Sequence, residues 1–113
     1  MTILEYCNIL IRMKNPPGGK KLEFMASALK GMAHPARIRI LMLLGCSARL
    51  SVSRIQAETG LTQSMTSQHL LAMKSAGLLA SEKERNKVFY FINNKDVMKV
   101  ISCMNNCAER RMT

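Results

Sequence analysis

Neutral hydrogen-bonding side chains are crowded into one short stretch that also has helical spacing. On one side of a predicted helix, this polar row consists of Gln63, Ser64, Ser67, Gln68 and His69. The apolar side of the same helix is formed by Leu61, Met65, Leu70 and Met73. Amide and hydroxyl groups match the donor and acceptor patterns of base edges in the major groove, and Gln suits adenine. The row therefore predicts a DNA-reading helix, with His69 either contacting a phosphate or only packing inward.

Basic side chains form a second candidate contact, around a turn between two segments of β-strand character. The cations are Lys83, Arg85 and Lys87. The turn centres on Asn86, which tolerates left-handed φ, and the residue types over 88–92 favour a strand. Such a hairpin is a wing whose cations would contact phosphate or the adjacent minor groove. Because Glu82 and Glu84 are interleaved with the cations, an ordinary solvated hairpin is the alternative, but the preceding polar row favours the wing.

Local signals predict the elements that hold the polar row in place. Thr62 suits the N-cap of its helix, and Gly77 marks where that helix ends. A shorter helix begins near Ser51, and Gly60 can take the positive φ that ends it tightly. Two helices joined by a three-residue turn make a helix-turn-helix.

The rest of the chain predicts further helices around this unit. They are expected over residues 21–33, 36–45 and 94–112. Pro35 suits the first position of the second of these helices, which is apolar nearly all round after its first turn and so predicts a buried central helix. Residues 1–14 form a short helix or strand, and Pro and Gly at 15–19 indicate a linker. We expect an extension and linker over 1–20 and one domain over 21–112, mainly α with a two-stranded β wing.

The charge balance of the chain indicates a polyanionic partner. Its 113 residues include 17 Lys or Arg and 7 Asp or Glu, a formal net charge of +10. A compact domain this basic favours nucleic acid first and a membrane surface second. Arg37, near the start of the central helix, is either a solvated charge or part of a phosphate clamp with the helix N-terminal amides.

Composition argues against several other classes of protein. No apolar run approaches the roughly 20 residues that span a bilayer, and the N-terminal stretch lacks the marks of a secretion signal, so we expect the cytoplasm and no membrane partner. Aromatic residues are only 4% of the chain, whereas single-strand binders stack bases on them. Because the chain has no Ser/His/Asp set, no paired acids and no Gly-rich phosphate loop, we expect no enzymatic activity.

Two stretches resemble the ArsR/SmtB family of small winged-helix repressors. They are LKGMAHPARIRILMLL and LSVSRIQAETGLTQSMTSQHLLAMKSAGLLASEKERNKVFYFI, within residues 22–110. The similarity rests on three motifs. They are His-Pro-x-Arg at the start of the central helix, Ser-x-His-Leu in the recognition helix and Phe-Tyr in the second wing strand. It implies a winged helix-turn-helix that dimerises through its first and last helices. It also implies binding to an imperfect palindrome in double-stranded DNA, with release by a metal ion or another chemical signal.

The metal sites of that family do not carry over to this sequence. Ser51 and Ser53 stand where metal-sensing relatives have a Cys-x-Cys pair, and hydroxyls are poor ligands for thiophilic ions. Asp96 is present on the last helix, but Met98 stands where a second family site has its first His. No cofactor is therefore assigned, and a thiophilic metal ion remains an alternative only through cysteines.

Cysteines are the candidate sensing groups. They are Cys7, Cys46, Cys103 and Cys107. Cys103 and Cys107 are four residues apart, on one side of the last helix. The resemblance implies a disulfide or polysulfide between Cys46 and one of them, although the family pattern places the first cysteine nearer Met42. A thiophilic metal on Cys103 and Cys107, with or without Cys7, is the second alternative, and buried unreactive thiols are the third.

These observations predict a dimeric, sequence-specific repressor that leaves its operator on a chemical signal, with a thiol-reactive oxidant or reactive sulfur species as the first candidate. A metal-responsive repressor and an effector-independent regulator are alternatives with the same fold. A sequence-neutral architectural DNA binder would depend on the wing cations rather than on the polar row. A basic module for an acidic protein partner would show no sequence discrimination on DNA.

Overall fold

The computed structural model describes residues 2–13 and 17–112, which form six helices and three strands. The helices are α1 (Ile3–Arg12), α2 (Gly19–Met32), α3 (Pro35–Gly45), α4 (Val52–Thr59), α5 (Gln63–Ser75) and α6 (Asp96–Met112). The strands are β1 (Leu50–Ser51), β2 (Leu79–Glu84) and β3 (Lys87–Ile92). Among the described residues, every helix falls short of the length and apolar character needed to span a bilayer.

The predicted helix-turn-helix is confirmed as α4, a short turn and α5. The Ser51 hydroxyl accepts a hydrogen bond from the Arg54 amide and begins α4. Gly60 ends that helix with φ at +72°, in the left-handed region that glycine adopts without strain. The Thr62 hydroxyl then accepts from the Met65 amide at 3.1 Å and begins α5. These caps satisfy amides that would otherwise lack partners at each helix start, so the boundaries follow from local chemistry.

The sheet is larger than the predicted two-stranded wing. It has three antiparallel strands in the order β1-β3-β2, with Leu50 opposite Tyr90 and Ser51 opposite Phe89. The hairpin between β2 and β3 turns on Arg85 and Asn86, both at positive φ, and pairs Glu84 with Lys87. The extended residues that lead into the cap of α4 therefore pair with β3 and fix the wing to the helix-turn-helix.

The core lies around one side of α3. It joins Ile40, Leu41 and Leu44 to buried side chains of α4, α5, the sheet and α6. The prediction that α3 is buried nearly all round is wrong for Met42, which is 52% exposed in the single chain. Met65 is also exposed, at 43%, rather than on the apolar side of α5, while the adjacent Thr66 is fully buried. Thr66 tolerates burial because its hydroxyl donates to the Thr62 carbonyl at 2.8 Å.

The N-terminal part of the chain begins with a helix, one of the two predicted alternatives. Thr2 and Glu5 exchange backbone-to-side-chain hydrogen bonds of 3.0 and 3.2 Å, a capping box at the start of α1. Gly19 begins α2 within the predicted linker, and Leu22 donates to the Gly18 carbonyl at 2.8 Å. Positions 15 and 16 of that linker lie outside the described residues.

Candidate nucleic-acid interface

The polar row of α5 faces outward along most of its length. Gln63, Ser64 and Gln68 are exposed, and Ser67 is half-buried. The N-cap at Thr62 and the buried Leu70 and Met73 hold the opposite side of α5 against the core. A rigid helix with exposed amide and hydroxyl groups over its first two turns can offer donors and acceptors to base edges.

His69 differs from the rest of the row because it is buried, with 8% exposure. Its Nδ1 accepts a hydrogen bond of 3.0 Å from Nε of Arg37, and its ring centroid lies 4.6 Å from that of His34. Burial, His34 and Arg37 together lower the pKa of His69 below its ordinary value of 6.5. Of the two alternatives for His69, this geometry favours inward packing over a direct phosphate contact.

The acidic residues of the wing are paired with an arginine from outside the hairpin. Glu82 and Glu84 lie on one face of β2, because alternate residues of a strand share a face. Lys87 lies opposite Glu84 on that face, and Lys83 lies on the other. Arg49, in the loop before β1, donates to Glu82 and, at 2.6 Å, to Glu84. Its guanidinium also lies 4.1 Å from the ring centroid of Phe89. Hydrogen bonds to Glu84 and Glu82 raise the pKa of Arg49, and its single positive charge offsets part of the two negative charges on this face of the wing.

The wing cations remain available to a partner. In the part of the chain that the structure describes, Lys83, Arg85 and Lys87 are exposed, and their side chains make no hydrogen bond or ion pair. With both carboxylates engaged by Arg49, the tip of the wing presents three positive charges. This arrangement removes the main reason for regarding the segment as an ordinary solvated hairpin.

The wing tip and the start of the recognition helix meet at a common cleft. About 340 Å³ in volume, it is lined by residues of the α4 start, of α5 and of the wing, including Gln56, Gln63, Asn86 and Lys87. The structure therefore brings an amide of the polar row and a cation of the wing to one surface. A DNA segment on this surface would meet a base-reading group and a phosphate-binding group together.

Sequence reasoning missed two contacts that position the wing. One is the Arg49 bridge, for which the sequence offers only an arginine ahead of a Glu-x-Glu strand. The other is a hydrogen bond of 2.7 Å from Nζ of Lys74, in the last turn of α5, to the hydroxyl of Ser81 in β2. Together they attach the wing to the helix-turn-helix on both of its faces.

The candidate sensing cysteines are accessible thiols in this structure. Cys46, Cys103 and Cys107 are free and exposed, contrary to the alternative in which they are buried. The side chain of Cys7 lies outside the described residues. Where the end of α3 meets α6, Met98 lies so close that a Cβ at Gly45 would be 2.8 Å from its sulfur atom. The residue beside Cys46 is thus in close contact with α6, the helix that carries the other two cysteines.

The residues at the family metal positions do not fit a thiophilic ion. The Ser51 hydroxyl is engaged as the cap of α4 and lies 3.2 Å from the Ser53 hydroxyl. Neutral hydroxyls do not supply the thiolate or imidazole that zinc and its neighbours require. Within residues 2–13 and 17–112, no three His, Cys, Asp or Glu side chains group as a metal site in the single chain.

Comparison with known proteins identifies a family whose model matches the part of the chain that contains the helix-turn-helix. A family model described as "Bacterial regulatory protein, arsR family" matches residues 34–81, from the cap of α3 into β2. The chain is similar to the HTH-type transcriptional regulator YgaV of Escherichia coli (strain K12), with 38% identity over 84 residues, which are 74% of this chain and 85% of YgaV. The transcriptional repressor PagR of Bacillus anthracis is 36% identical over 90 residues, covering 75% of this chain and 90% of PagR.

Solved structures show the same architecture. The homodimeric winged helix-turn-helix DNA-binding domain of Mb0332 (fragment 1-100) from Mycobacterium bovis, solved by NMR, superposes with a TM-score of 0.74. The two chains are 27% identical, and the match covers 88% of this chain and 94% of that one. The likeness in sequence and the likeness in fold thus indicate the same class of protein.

Proposed function

Because this chain belongs to the arsR family of bacterial regulatory proteins, we propose that it is a homodimeric repressor that reads a two-fold symmetric operator in double-stranded DNA and leaves it on a thiol-reactive signal. Membership of this family makes the chain a DNA-binding regulator and not an enzyme. The operator symmetry, the direction of regulation and the signal are our proposal. The observation that carries it is the shared surface of the polar row and the wing, where Gln63 and Lys87 line one cleft.

Direct readout is assigned to the exposed members of the polar row. Gln63, Ser64, Ser67 and Gln68 reach base edges from the first two turns of α5. Lys83, Arg85 and Lys87 bind the flanking phosphates or the adjacent minor groove, where they give affinity without sequence information. Arg37 is a further phosphate contact, beside the start of α3.

Dimerisation is assigned to an apolar surface on α2 and α6. Leu29 is 56% exposed and Met104 is 62% exposed in the single chain, and Leu22, Met25 and Val100 are exposed as well. A largely apolar cavity of about 200 Å³ lies between these two helices. A second copy would cover this surface, and a two-fold dimer would present two recognition helices to successive turns of DNA. The homodimeric state of the Mycobacterium bovis relative supports this assembly.

The signal is assigned to the exposed thiols. Cys103 and Cys107 lie on the helix that carries Val100 and Met104, so a change at either sulfur would act next to the dimer surface. Cys46 adds a third thiol at the end of α3. A disulfide or polysulfide that includes Cys46 would link α3 to α6 and change how the two recognition helices are spaced.

The test is binding of the protein to DNA from its own promoter, measured by fluorescence anisotropy. An oxidant, a polysulfide donor and thiophilic metal ions are added separately to wild type, Cys107→Ser and Cys103→Ser. Release by the oxidant or the polysulfide donor, lost in a cysteine variant and reversed by reductant, supports the proposal. Release by metal ions alone would replace the thiol signal with a metal signal. Specific binding that none of the reagents changes would leave an effector-independent regulator.

A further inference from the structure

A second basic cleft lies away from the wing, between α2, α3 and α5. It has a volume of about 300 Å³, and its lining includes Lys30 of α2, Arg37 of α3 and Ser75 of α5. Small residues let the helices approach here, since a Cβ at Gly31 would lie 2.7 Å from that of Ala76. Two cations and a hydroxyl at the edge of a cleft match the needs of a phosphate oxygen.

The cleft continues the DNA-facing side of the recognition helix. Ala72 and Ser75, which line it, follow Gln68 by four and seven residues and therefore share its side of α5. A duplex whose major groove holds the first turns of α5 has a phosphate backbone along each edge of that groove. The cleft thus lies beside the C-terminal half of α5, where one backbone would pass, and its lining residues come from α2, α3 and the end of α5.

Arg37 is held at this cleft by two hydrogen bonds. Its Nε donates to Nδ1 of His69 at 3.0 Å, and its Nη1 donates to the Gly31 carbonyl at 3.3 Å. A guanidinium has five N–H donors, so three remain for a ligand in the cleft. His69 can accept this bond only while its Nδ1 carries no proton, because an imidazolium has two donors and no acceptor.

We propose that His69 is a positioning residue for DNA binding, whose neutral ring aims the Arg37 guanidinium at a backbone phosphate in this cleft. The inference rests on the proposed function, because it assumes that α5 enters the major groove. His69 itself does not touch DNA. It links the recognition helix to the phosphate contact, so that the base-reading and phosphate-binding groups are placed together.

Proton binding to His69 disables this arrangement. The charged or titratable groups facing the pair are His34 at the cap of α3 and Lys30 across the cleft, while α5 lines the cleft with neutral residues. Burial, His34 and Arg37 lower the pKa of His69, so the ring is neutral at pH 7 and protonates only in more acidic solution. A protonated ring would lose the bond from Arg37 and repel its charge.

The sign of the expected pH effect is unusual and therefore diagnostic. Protonating a histidine near DNA normally strengthens binding, because it adds a cation beside the phosphates. Here protonation should weaken binding, because the binding-competent state requires neutral His69. Because each protomer of the proposed dimer carries one His69, Kd should rise by up to about tenfold per pH unit per protomer just below the pKa of His69, and should level off at the affinity that remains without the Arg37 contact.

The experiment measures Kd for promoter DNA at constant salt between pH 5 and 8, for wild type and three variants. His69→Asn keeps a side-chain acceptor that does not titrate, and its Kd should stay flat or fall on acidification. His34→Ser keeps a cap for α3 without a titrating ring, and its Kd should rise as in wild type. Arg37→Gln should weaken binding at pH 7.5, lower the salt slope by about one per protomer and lose the acid effect. Circular dichroism across the same range establishes that each protein remains folded.

Two results would overturn the inference. The first is a wild-type Kd that is constant or falls on acidification while the protein stays folded. The second is a His69→Asn variant that keeps the full acid weakening. Specific operator binding at pH 7.5 in either case would leave the proposed function standing, whereas absence of specific binding at any pH would reject that function instead.

Discussion

At the scale of single residues, the proposed sequence recognition depends on a few amide and hydroxyl groups that do not stabilise the fold. Gln63 and Gln68 are exposed, and the side-chain amide of neither takes part in a hydrogen bond within the described part of the chain. Their neighbours Thr62 and Thr66 are occupied as a helix cap and as a buried hydroxyl. Substitution of either glutamine should therefore change DNA recognition without changing the fold.

Gln63→Ala and Gln68→Ala should each remove about 1–3 kcal/mol of discrimination at one base pair per half-site. The physical reason is loss of a paired donor and acceptor at a base edge. Anisotropy with operators mutated at single positions measures this discrimination. As a matched control, Asn105→Ala removes an exposed amide from α6 and should leave both affinity and discrimination unchanged. Equal weakening on every sequence by the glutamine variants would contradict direct readout.

The lowered pKa of His69 also predicts that the stability of the fold depends on pH. The pKa of this side chain is lowered in the folded protein, so the unfolded chain binds the proton more readily between that value and 6.5. The contribution of His69 to the free energy of unfolding is therefore fully present above pH 6.5. It declines as pH falls through this window, and it stops changing below the pKa of His69 in the folded protein. Urea denaturation at a series of pH values should show this decline in wild type and a smaller one in His69→Asn. Identical profiles would show that His69 does not titrate differently on folding.

At the scale of elements, the wing combines a basic tip with two carboxylates that are paired with one arginine. Arg49 reaches from the loop before β1 to Glu82 and Glu84, and it lies over Phe89 of the neighbouring strand. These groups are partly exposed to solvent, so their ion pairs contribute little to the stability of the fold. The larger consequence is electrostatic, since two carboxylates close to DNA would otherwise repel its phosphates.

Arg49→Gln should weaken binding to all DNA sequences while changing the unfolding midpoint little. The carboxylates of Glu82 and Glu84 would then be uncompensated beside the backbone. Adding Glu82→Gln and Glu84→Gln to that variant should restore most of the lost affinity, and anisotropy at two salt concentrations would measure both effects. Lys99→Gln, which removes a cation paired with Asp96 on α6, serves as the charge-matched control. Failure of the double substitution to rescue binding would mean that Arg49 does not act by neutralising the wing.

At the scale of the whole molecule, the single chain leaves a continuous apolar surface uncovered. The exposed side chains on α2 and α6 lie around a largely apolar cavity lined by both helices. Apolar surface of this kind is stabilised by association, and the relative from Mycobacterium bovis is homodimeric. Operator affinity should then depend on the oligomeric state, because one recognition helix alone contacts only one half-site.

Leu29→Glu should produce monomers and a large loss of operator affinity, because it places a charge in the covered surface. Sedimentation equilibrium measures the oligomeric state, and footprinting measures the half-site spacing, which should be about 10 base pairs or a multiple of it. As a matched control, Leu29→Met keeps an apolar side chain of similar volume at the same position and should leave the dimer intact. A Leu29→Glu protein that remains dimeric would place the interface elsewhere.

The sequence by itself determined the helix-turn-helix and the side of α5 that faces outward. Those features depend on caps and glycines such as Ser51, Gly60 and Thr62, whose partners lie within four residues along the chain. Helical periodicity is equally local, so the outward direction of Gln63 and Gln68 followed from spacing alone. The family resemblance rested on the same local motifs, and the comparisons confirm it.

Only the tertiary structure decided the features that depend on residues far apart in sequence. Three such features join positions at least 32 residues apart. They are the pairing of Leu50 with Tyr90, the contact of Arg49 with the wing, and the burial of His69 beside Arg37. No periodicity or motif encodes such contacts, since they arise when separately formed elements pack together. Packing also decided that Met65 is exposed while Thr66 is buried. Burial of Thr66 is tolerated because its hydroxyl donates a hydrogen bond to the Thr62 carbonyl within the same helix turn.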